Sequence, residues 1–450
     1  MDAEDKEGTS EELQMEVLLE SILSRKNLVL AYDQVVGNKG APGVDGITVE
    51  DLREYLRNNW ASISEEIRQG RYKPSAVRRV SIPKPNGGER HLGIPTVLDR
   101  MIQHSISQEL DKLYDENFSE YSYGFRKGRS AHQALEKSLD YLKSGNEYMV
   151  SIDLEKFFDR VNHDKLMSKL SKGIKDKEVL RLIRRYLQSG IMEDGVVRLN
   201  EEGTPQGGNL SPVLSNIVLD DLDKELESRG LCFVRYADDI SIFVKSPRAG
   251  ERVLMSVSKW IEQQLKLKVN AAKSGVKHCC KSGLLGYGFY KSKDGYQFRV
   301  LASSFKRFKV KLKRLTKRSW SVSLDYRFEK LRQTMQGWLN YYGLAKCKKR
   351  ISRLDKWLRR RVRMCIWKTW KLVRTKMRSL IKLGVTRDKA YMWANTRKGY
   401  WAVSRSPIVT TAITNRLLEK RGYRSLLSYY LYRHSNLMNR RDTRTVRPVV

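Results

Sequence analysis

From Leu18 onward the apolar residues of LLESILSRKNLVLAYDQVV recur at helical spacing until the Gly- and Pro-rich stretch GNKGAPGVDG interrupts them. A second helical pattern follows around residues 49–67. AVRRVSIPKPNGGERHLGIP reads as two strands about a Pro-Asn-Gly-Gly turn, a hairpin with basic residues on both arms. Helical patterns over 97–118 and 130–143 flank the loop YSYGFRKGRS, and YMVSID is a short apolar strand that ends in an acid. LEKFFDRVNHDKLMSKL continues that strand as a helix, and GTPQGGNLSPVLSNIVLDDLDKELE is a glycine loop running into another helix. FVRYADDISIFV, residues 233–244, closes two apolar runs on a turn that holds adjacent carboxylates. A helix near 249–266 and the stretches LKVNAAKSGVKH and LLGYGFY come next. This alternation predicts an α+β body in which a small antiparallel sheet is backed by helices.

From about Ser303 the pattern turns helical and basic. In RLDKWLRRRVRMCIWKTW the apolar Leu354, Trp357, Leu358, Val362, Cys365, Ile366 and Trp370 fall on one side, leaving Arg353, Arg360, Arg363, Lys368 and Lys371 for the others. The net charge of +36 is concentrated here: residues 303–450 hold 41 Lys+Arg against 6 Asp+Glu, whereas residues 1–302 hold 46 against 45. Such an asymmetry indicates a polyanion-binding region joined to a roughly neutral body. With 450 residues the chain has room for about two to four domains. The start MDAEDKEGTSEELQ lacks the zones of a signal peptide, and no run of about 18 apolar residues occurs, so no membrane partner and a cytoplasmic location are expected. The five cysteines include no CxxC pair, which argues against a zinc cluster or a disulfide framework.

The chemistry centres on carboxylates. Asp238 and Asp239 occupy the hairpin tip, and Asp153, which ends the strand MVSID, is their natural companion if both elements share one sheet. Three acids at neighbouring strand tips repel one another unless divalent cations sit between them. Mg²⁺ held by one or two carboxylates completes its octahedron with water and substrate phosphates, which suits a nucleotide site. Two such ions, roughly 3.5–4 Å apart, clamp the attacking and leaving oxygens of a phosphoryl displacement.

These residues resemble the reverse transcriptases encoded by bacterial group II introns. The blocks that carry the resemblance are GAPGVDG (40–46), IPKPNGGERHLGIPT (82–96), YSYGFRKGRSAHQAL (121–135), SIDLEKFFDRVNHDKL (151–166), GTPQGGNLSPVLSNI (203–217), YADD (236–239) and QGWLNYYG (336–343), in that order along the chain. The resemblance implies a right-hand polymerase of fingers, palm and thumb with an antiparallel palm sheet. It implies that Asp153, Asp238 and Asp239 hold two Mg²⁺ ions, with Mn²⁺ as a substitute and the Leu154 carbonyl assisting. Arg78, Lys84 and Arg90 would grip the incoming triphosphate, to which arginine can donate bidentately. Phe158 would pack under the sugar and exclude a 2′-hydroxyl, Gln206 would lie near the nucleotide, and Lys273 would face the leaving pyrophosphate. LLGYGF (284–289) resembles the primer grip.

The resemblance further implies a division into an N-terminal extension and fingers (1–96), palm with remaining fingers (97–302), a helical thumb or maturase domain (303–375) and a basic DNA-binding-like region (376–450). The expected partners are group II intron RNA, an RNA template with its DNA primer, dNTPs and target DNA, in a nucleoid-associated ribonucleoprotein. His434 is the only histidine after His278, so an HNH endonuclease is not expected, as in the short class C form. The alternatives are a related reverse transcriptase co-opted for defence or CRISPR adaptation, and a maturase acting only as an RNA-binding splicing factor. The 40–46 loop is open to two readings, a template contact or an ordinary surface loop.

Overall fold

The computed structural model describes residues 18–83, 88–193, 196–198, 202–204 and 207–445, at a few of these by the backbone alone. By contacts the chain divides into two compact units, Met1–His278 and Cys279–Val450. No helix among the described residues is long and apolar enough to cross a membrane.

The centre of the first unit is a four-stranded antiparallel sheet in the order β6-β7-β3-β8, from β3 (Tyr148–Ile152), β6 (Cys232–Tyr236), β7 (Asp239–Val244) and β8 (Gly275–His278). Both faces are covered. Val150, Ile152, Ile240 and Ile242 project from one face into the main core, where helix Pro247–Trp260 packs so closely that a Cβ on Gly250 would meet Val276 at 2.6 Å. Met149 and Phe243 project from the other, and Tyr141 of helix Ala131–Lys143 meets Phe243 at a ring separation of 5.6 Å.

A second sheet of this unit has the order β2-β1-β4-β5, in which β5 is Val196–Arg198. Its hairpin of β1 (Val77–Pro83) and β2 (Glu89–Ile94) is the one the alternating basic pattern predicts, and β1 also pairs in parallel with β4 (Ile191–Glu193). The base of the hairpin is anchored on Asp99, a buried carboxylate near the start of helix Val97–Tyr114. It accepts from Tyr72, Tyr186 and Thr96 hydroxyls and from the Ser75 N–H. Burial pushes its pKa up, and those four donors pull the other way.

Two helical expectations are corrected. The first helix is interrupted at Ser24, whose hydroxyl caps the Asn27 N–H of helix Arg25–Gly37. The segment after Asp153 does not become helical until His163: the Glu155 N–H bonds the Lys268 carbonyl, Lys156 takes φ +47°, and Phe157–Asp159 forms one tight turn. Hydrogen bonds to Lys268 and Asn270 tie residues 153–155 to a distant segment, the left-handed Lys156 interrupts the helical path, and Asn162 then caps the helix through the Lys165 N–H.

The second unit opens with a three-stranded sheet of β9 (Gly283–Leu284), β10 (Tyr287–Ser292) and β11 (Gly295–Val300), followed by helices. Trp338 stacks on Phe308 at 4.2 Å, and Tyr341 and Tyr342 close on the buried Tyr287, so QGWLNYYG serves as packing. In helix Lys348–Thr369 the apolar stripe is buried as expected, with Trp357 only half-buried beneath Lys309 and Arg361. The expectation for Arg363 is corrected: it is buried, donating to the Ile413 carbonyl at 2.7 Å and to Asn415 at 2.8 Å. The later segments fold back over the helix and need those donors.

Candidate active site

Period-two alternation decides where the acids point. The register pairs Ile152 with Ile240, so the next residues outward, Asp153 and Asp239, lie side by side on the opposite face. Asp239 itself pairs with Tyr236 across a two-residue turn of Ala237 and Asp238. Ala237 has φ +57°, a conformation that costs a non-glycine residue about 1–2 kcal/mol. The three carboxylates are therefore gathered at adjoining strand ends.

The loop 270–274 clasps Asp153. Its backbone N–H donates to the Ser274 hydroxyl at 3.0 Å, its carbonyl accepts from the Asn270 N–H at 2.8 Å, and Lys273 Nζ donates to its carboxylate at 3.2 Å. Lys273 remains largely exposed, with 67% of its side chain open to solvent. The Asp239 carboxyl is pushed up to about 6, first by the desolvation that crowding protein atoms impose at an otherwise exposed position, then by the charges of Asp238 and Asp153, with Lys273 opposing. One lysine offsets the repulsion only in part.

The arrangement fits a divalent cation. Three carboxylates offer hard oxygen donors only, the set that suits Mg²⁺, Mn²⁺ or Ca²⁺. Leu154 sits opposite Val269 in an isolated antiparallel bridge, with the hydrogen bonds running on either side, from Glu155 N–H to the Lys268 carbonyl and from Asn270 N–H to the Asp153 carbonyl. That register leaves the Leu154 carbonyl on the edge facing away from Val269.

Around the acids the structure ties together elements far apart in sequence. Phe157 is buried, whereas Phe158 is partly open and stands edge-on to it at 5.1 Å. The Thr204 N–H donates to the Phe158 carbonyl at 2.6 Å, so the glycine loop begins against this aromatic pair. Three residues on, Gly207 has φ +116°, and a Cβ there would lie 2.6 Å from the Gly93 carbonyl of β2. The loop thus bridges from Phe158 to the basic hairpin. Arg78 is on β1 with its Nε buried and unpartnered among the described residues. Lys84, Gln206 and the Arg90 side chain lie outside the described residues.

The sequence reading missed Ser274 and Asn270, the clasp on Asp153, and Arg235, which is buried behind the turn. An arginine inside a strand of otherwise apolar residues was the available signal.

Residues 82–301 match the family described as reverse transcriptase (RNA-dependent DNA polymerase), and residues 305–383 match the group II intron, maturase-specific domain. The chain belongs to the group II intron reverse transcriptases. This family uses divalent metal ions, in keeping with the donor set. Among its relatives, Protein YkfC of Escherichia coli is 29% identical over 338 residues, covering 66% of this chain and 89% of that one. Group II intron-encoded protein LtrA of Lactococcus lactis subsp. cremoris is 36% identical over 196 residues, 43% of this chain and 32% of its own length. A putative COX1/OXI3 intron 2 protein of Saccharomyces cerevisiae is 30% identical over 322 residues, 58% of this chain and 37% of its own. The matches thus span about a third of these two intron proteins. Among solved structures, a chain of a partial Cas6-RT-Cas1-Cas2 complex aligns with a TM-score of 0.35 and 24% identity, over 54% of this chain and 42% of that one.

Proposed function

We propose that this member of the family copies RNA into DNA through two Mg²⁺ ions held by Asp153, Asp238 and Asp239, and that it also binds a group II intron RNA as a splicing maturase. The observation that carries the reading is the gathering of the three carboxylates at adjoining strand ends, Asp153 and Asp239 on one face and Asp238 in the turn beside them, with Asp239 already resisting ionisation. The ions, when bound, would balance that charge and stabilise the attacking and leaving oxygens of nucleotidyl transfer. The Leu154 carbonyl supplies a further oxygen.

The chain's own residues do the rest. Phe158 presents an apolar ring where a deoxyribose would lie, and the loop from Thr204 to Gly207 holds that ring in register with the hairpin. Arg78, Lys84 and Arg90 on the hairpin and Gln206 in the loop contact the incoming dNTP. Lys273 exchanges Asp153 for the triphosphate and donates a proton to the departing pyrophosphate. The basic region after Ser303 neutralises phosphates of the template with its DNA primer, of intron RNA and of target DNA. We retain as part of this proposal the four-part division at residues 96, 302 and 375, and a cytoplasmic, nucleoid-associated location.

The test is primer extension on an RNA template with four dNTPs and Mg²⁺, comparing wild type with Asp238→Asn at matched RNA occupancy. Extension by wild type, lost in a variant that still binds RNA, is the expected result. Tight RNA binding by wild type with no extension under any metal or primer would overturn the polymerase reading. Splicing of a cognate intron RNA at low Mg²⁺ tests the second half separately.

A further inference from the structure

Arg235 and Asp223 form an ion pair with both side chains fully excluded from solvent. Arg235 lies on β6, paired with Ile240 and therefore on the face of the sheet opposite Asp239. Its Nε donates to both Asp223 carboxylate oxygens, at 2.7 and 2.9 Å, and its Nη2 to one of them at 2.5 Å. The remaining nitrogen, Nη1, donates to Asn216 Oδ1 at 2.9 Å and to the Ala237 carbonyl at 3.1 Å. Asn216 in turn donates to the Gly124 carbonyl at 3.0 Å. Gly124 presses on the same turn from another side, where a Cβ would lie 2.2 Å from Ala237 N. The backbone of Arg235 is tied as well, bonded to the Tyr121 carbonyl and to the Tyr123 N–H, each at 2.9 Å.

Stability alone does not account for these groups, because well-packed apolar side chains often replace a buried ion pair without loss. What apolar side chains cannot supply is a donor for the carbonyl of Ala237, the residue at φ +57° that immediately precedes Asp238 and Asp239. Asp223 and Asn216, both on helix Ser211–Ser228, fix the guanidinium in one orientation, and Gly124 closes the opposite side.

We propose that Arg235, oriented by Asp223 and Asn216 and backed by Gly124, is a positioning residue that locks the Ala237 turn and so sets the metal-binding geometry of Asp238 and Asp239. The inference rests on the reading of these acids as metal ligands. Arg235 touches neither substrate nor metal; it acts through one backbone carbonyl.

The test uses the full chain in two variants. Asp223→Leu/Arg235→Met removes both charges together and leaves no orphaned ion, while Gly124→Ala keeps the ion pair and pushes on the turn from outside. Circular dichroism and RNA binding establish that each is folded. Mn²⁺ titration, followed by the electron paramagnetic resonance signal of the free ion, is expected to show affinity reduced about 10- to 100-fold in both. Primer extension should show kcat reduced by a similar factor with KM for dNTP within about twofold. A folded double variant whose Mn²⁺ affinity and kcat stay within about twofold of wild type overturns the proposal. If the double variant does not fold, Gly124→Ala decides alone, and unchanged Mn²⁺ affinity in it overturns the proposal. If wild type binds Mn²⁺ through Asp238 and the variants lose that binding, yet wild type extends no primer, the positioning role stands and the polymerase reading falls.

Discussion

The Asp239 carboxyl, crowded by protein atoms and facing Asp238 and Asp153, is pushed up to about 6 from an ordinary 3.8. A carboxyl raised on folding favours the protonated state, so its contribution to stability is full below the unfolded value and is lost as pH rises through about 6. Metal-free Asp239→Asn should therefore melt higher than wild type at pH 8, by about 1 kcal/mol once solvent screening at this exposed tip is allowed for, and the difference should vanish near pH 4. Thermal melts across that range in chelator check it. Adding Mn²⁺ at pH 7 should raise the melting temperature of wild type and leave that of Asp239→Asn nearly unchanged. At this scale the acids and Lys273 could be named from sequence, but their charge balance could not. The desolvation comes from residues that only the fold brings near.

Two elements carry constraints that single residues expose. The loop after Thr204 meets β2 backbone to backbone at Gly207, so Gly207→Ala must be accommodated against the Gly93 carbonyl at 2.6 Å and in a conformation that L side chains rarely adopt. A cost of about 1–3 kcal/mol is expected, with single-nucleotide incorporation falling further than the melting temperature alone would explain. Steady-state kcat/KM for dNTP beside a thermal melt would show the split. In the second unit, the buried Asp355 of helix Lys348–Thr369 accepts from the Leu426 N–H at 3.0 Å and from Tyr423 at 3.1 Å, pinning the start of helix Leu426–Thr445. Asp355→Ala should cost about 3 kcal/mol, because it strands buried donors, and tryptophan fluorescence during denaturant unfolding would register it. Helical spacing announced helix Lys348–Thr369. It could not announce that Asp355 and Arg363 turn inward, since the partners Leu426 and Ile413 lie 50 or more residues further along the chain. The same limit explains the segment after Asp153, where helical spacing was present but hydrogen bonds to the distant Lys268 and Asn270 took the backbone out of the helix.

For the whole molecule, charge is the property that local contacts do not capture. With 41 Lys+Arg against 6 Asp+Glu in residues 303–450, RNA affinity should fall steeply with salt. If about 6–10 phosphates are contacted, the log–log slope for a single strand should lie near −4 to −7, measurable by filter binding between about 100 and 400 mM KCl. Asp238→Asn should leave that slope unchanged, because it alters the acids and none of the basic residues. The sequence by itself determined the α+β class, the basic hairpin, the carboxylates and the polyanion-binding bias, because alternation, motif spacing and net charge are properties of local or summed composition. Only the tertiary structure decided which faces the acids share, how the Asp153 backbone is clasped, and that an arginine buried behind the sheet reaches the carbonyl of the turn. Those outcomes depend on strand register and on hydrogen bonds between residues up to 121 positions apart, such as Asp153 with Ser274, and no local pattern encodes a partner at that distance.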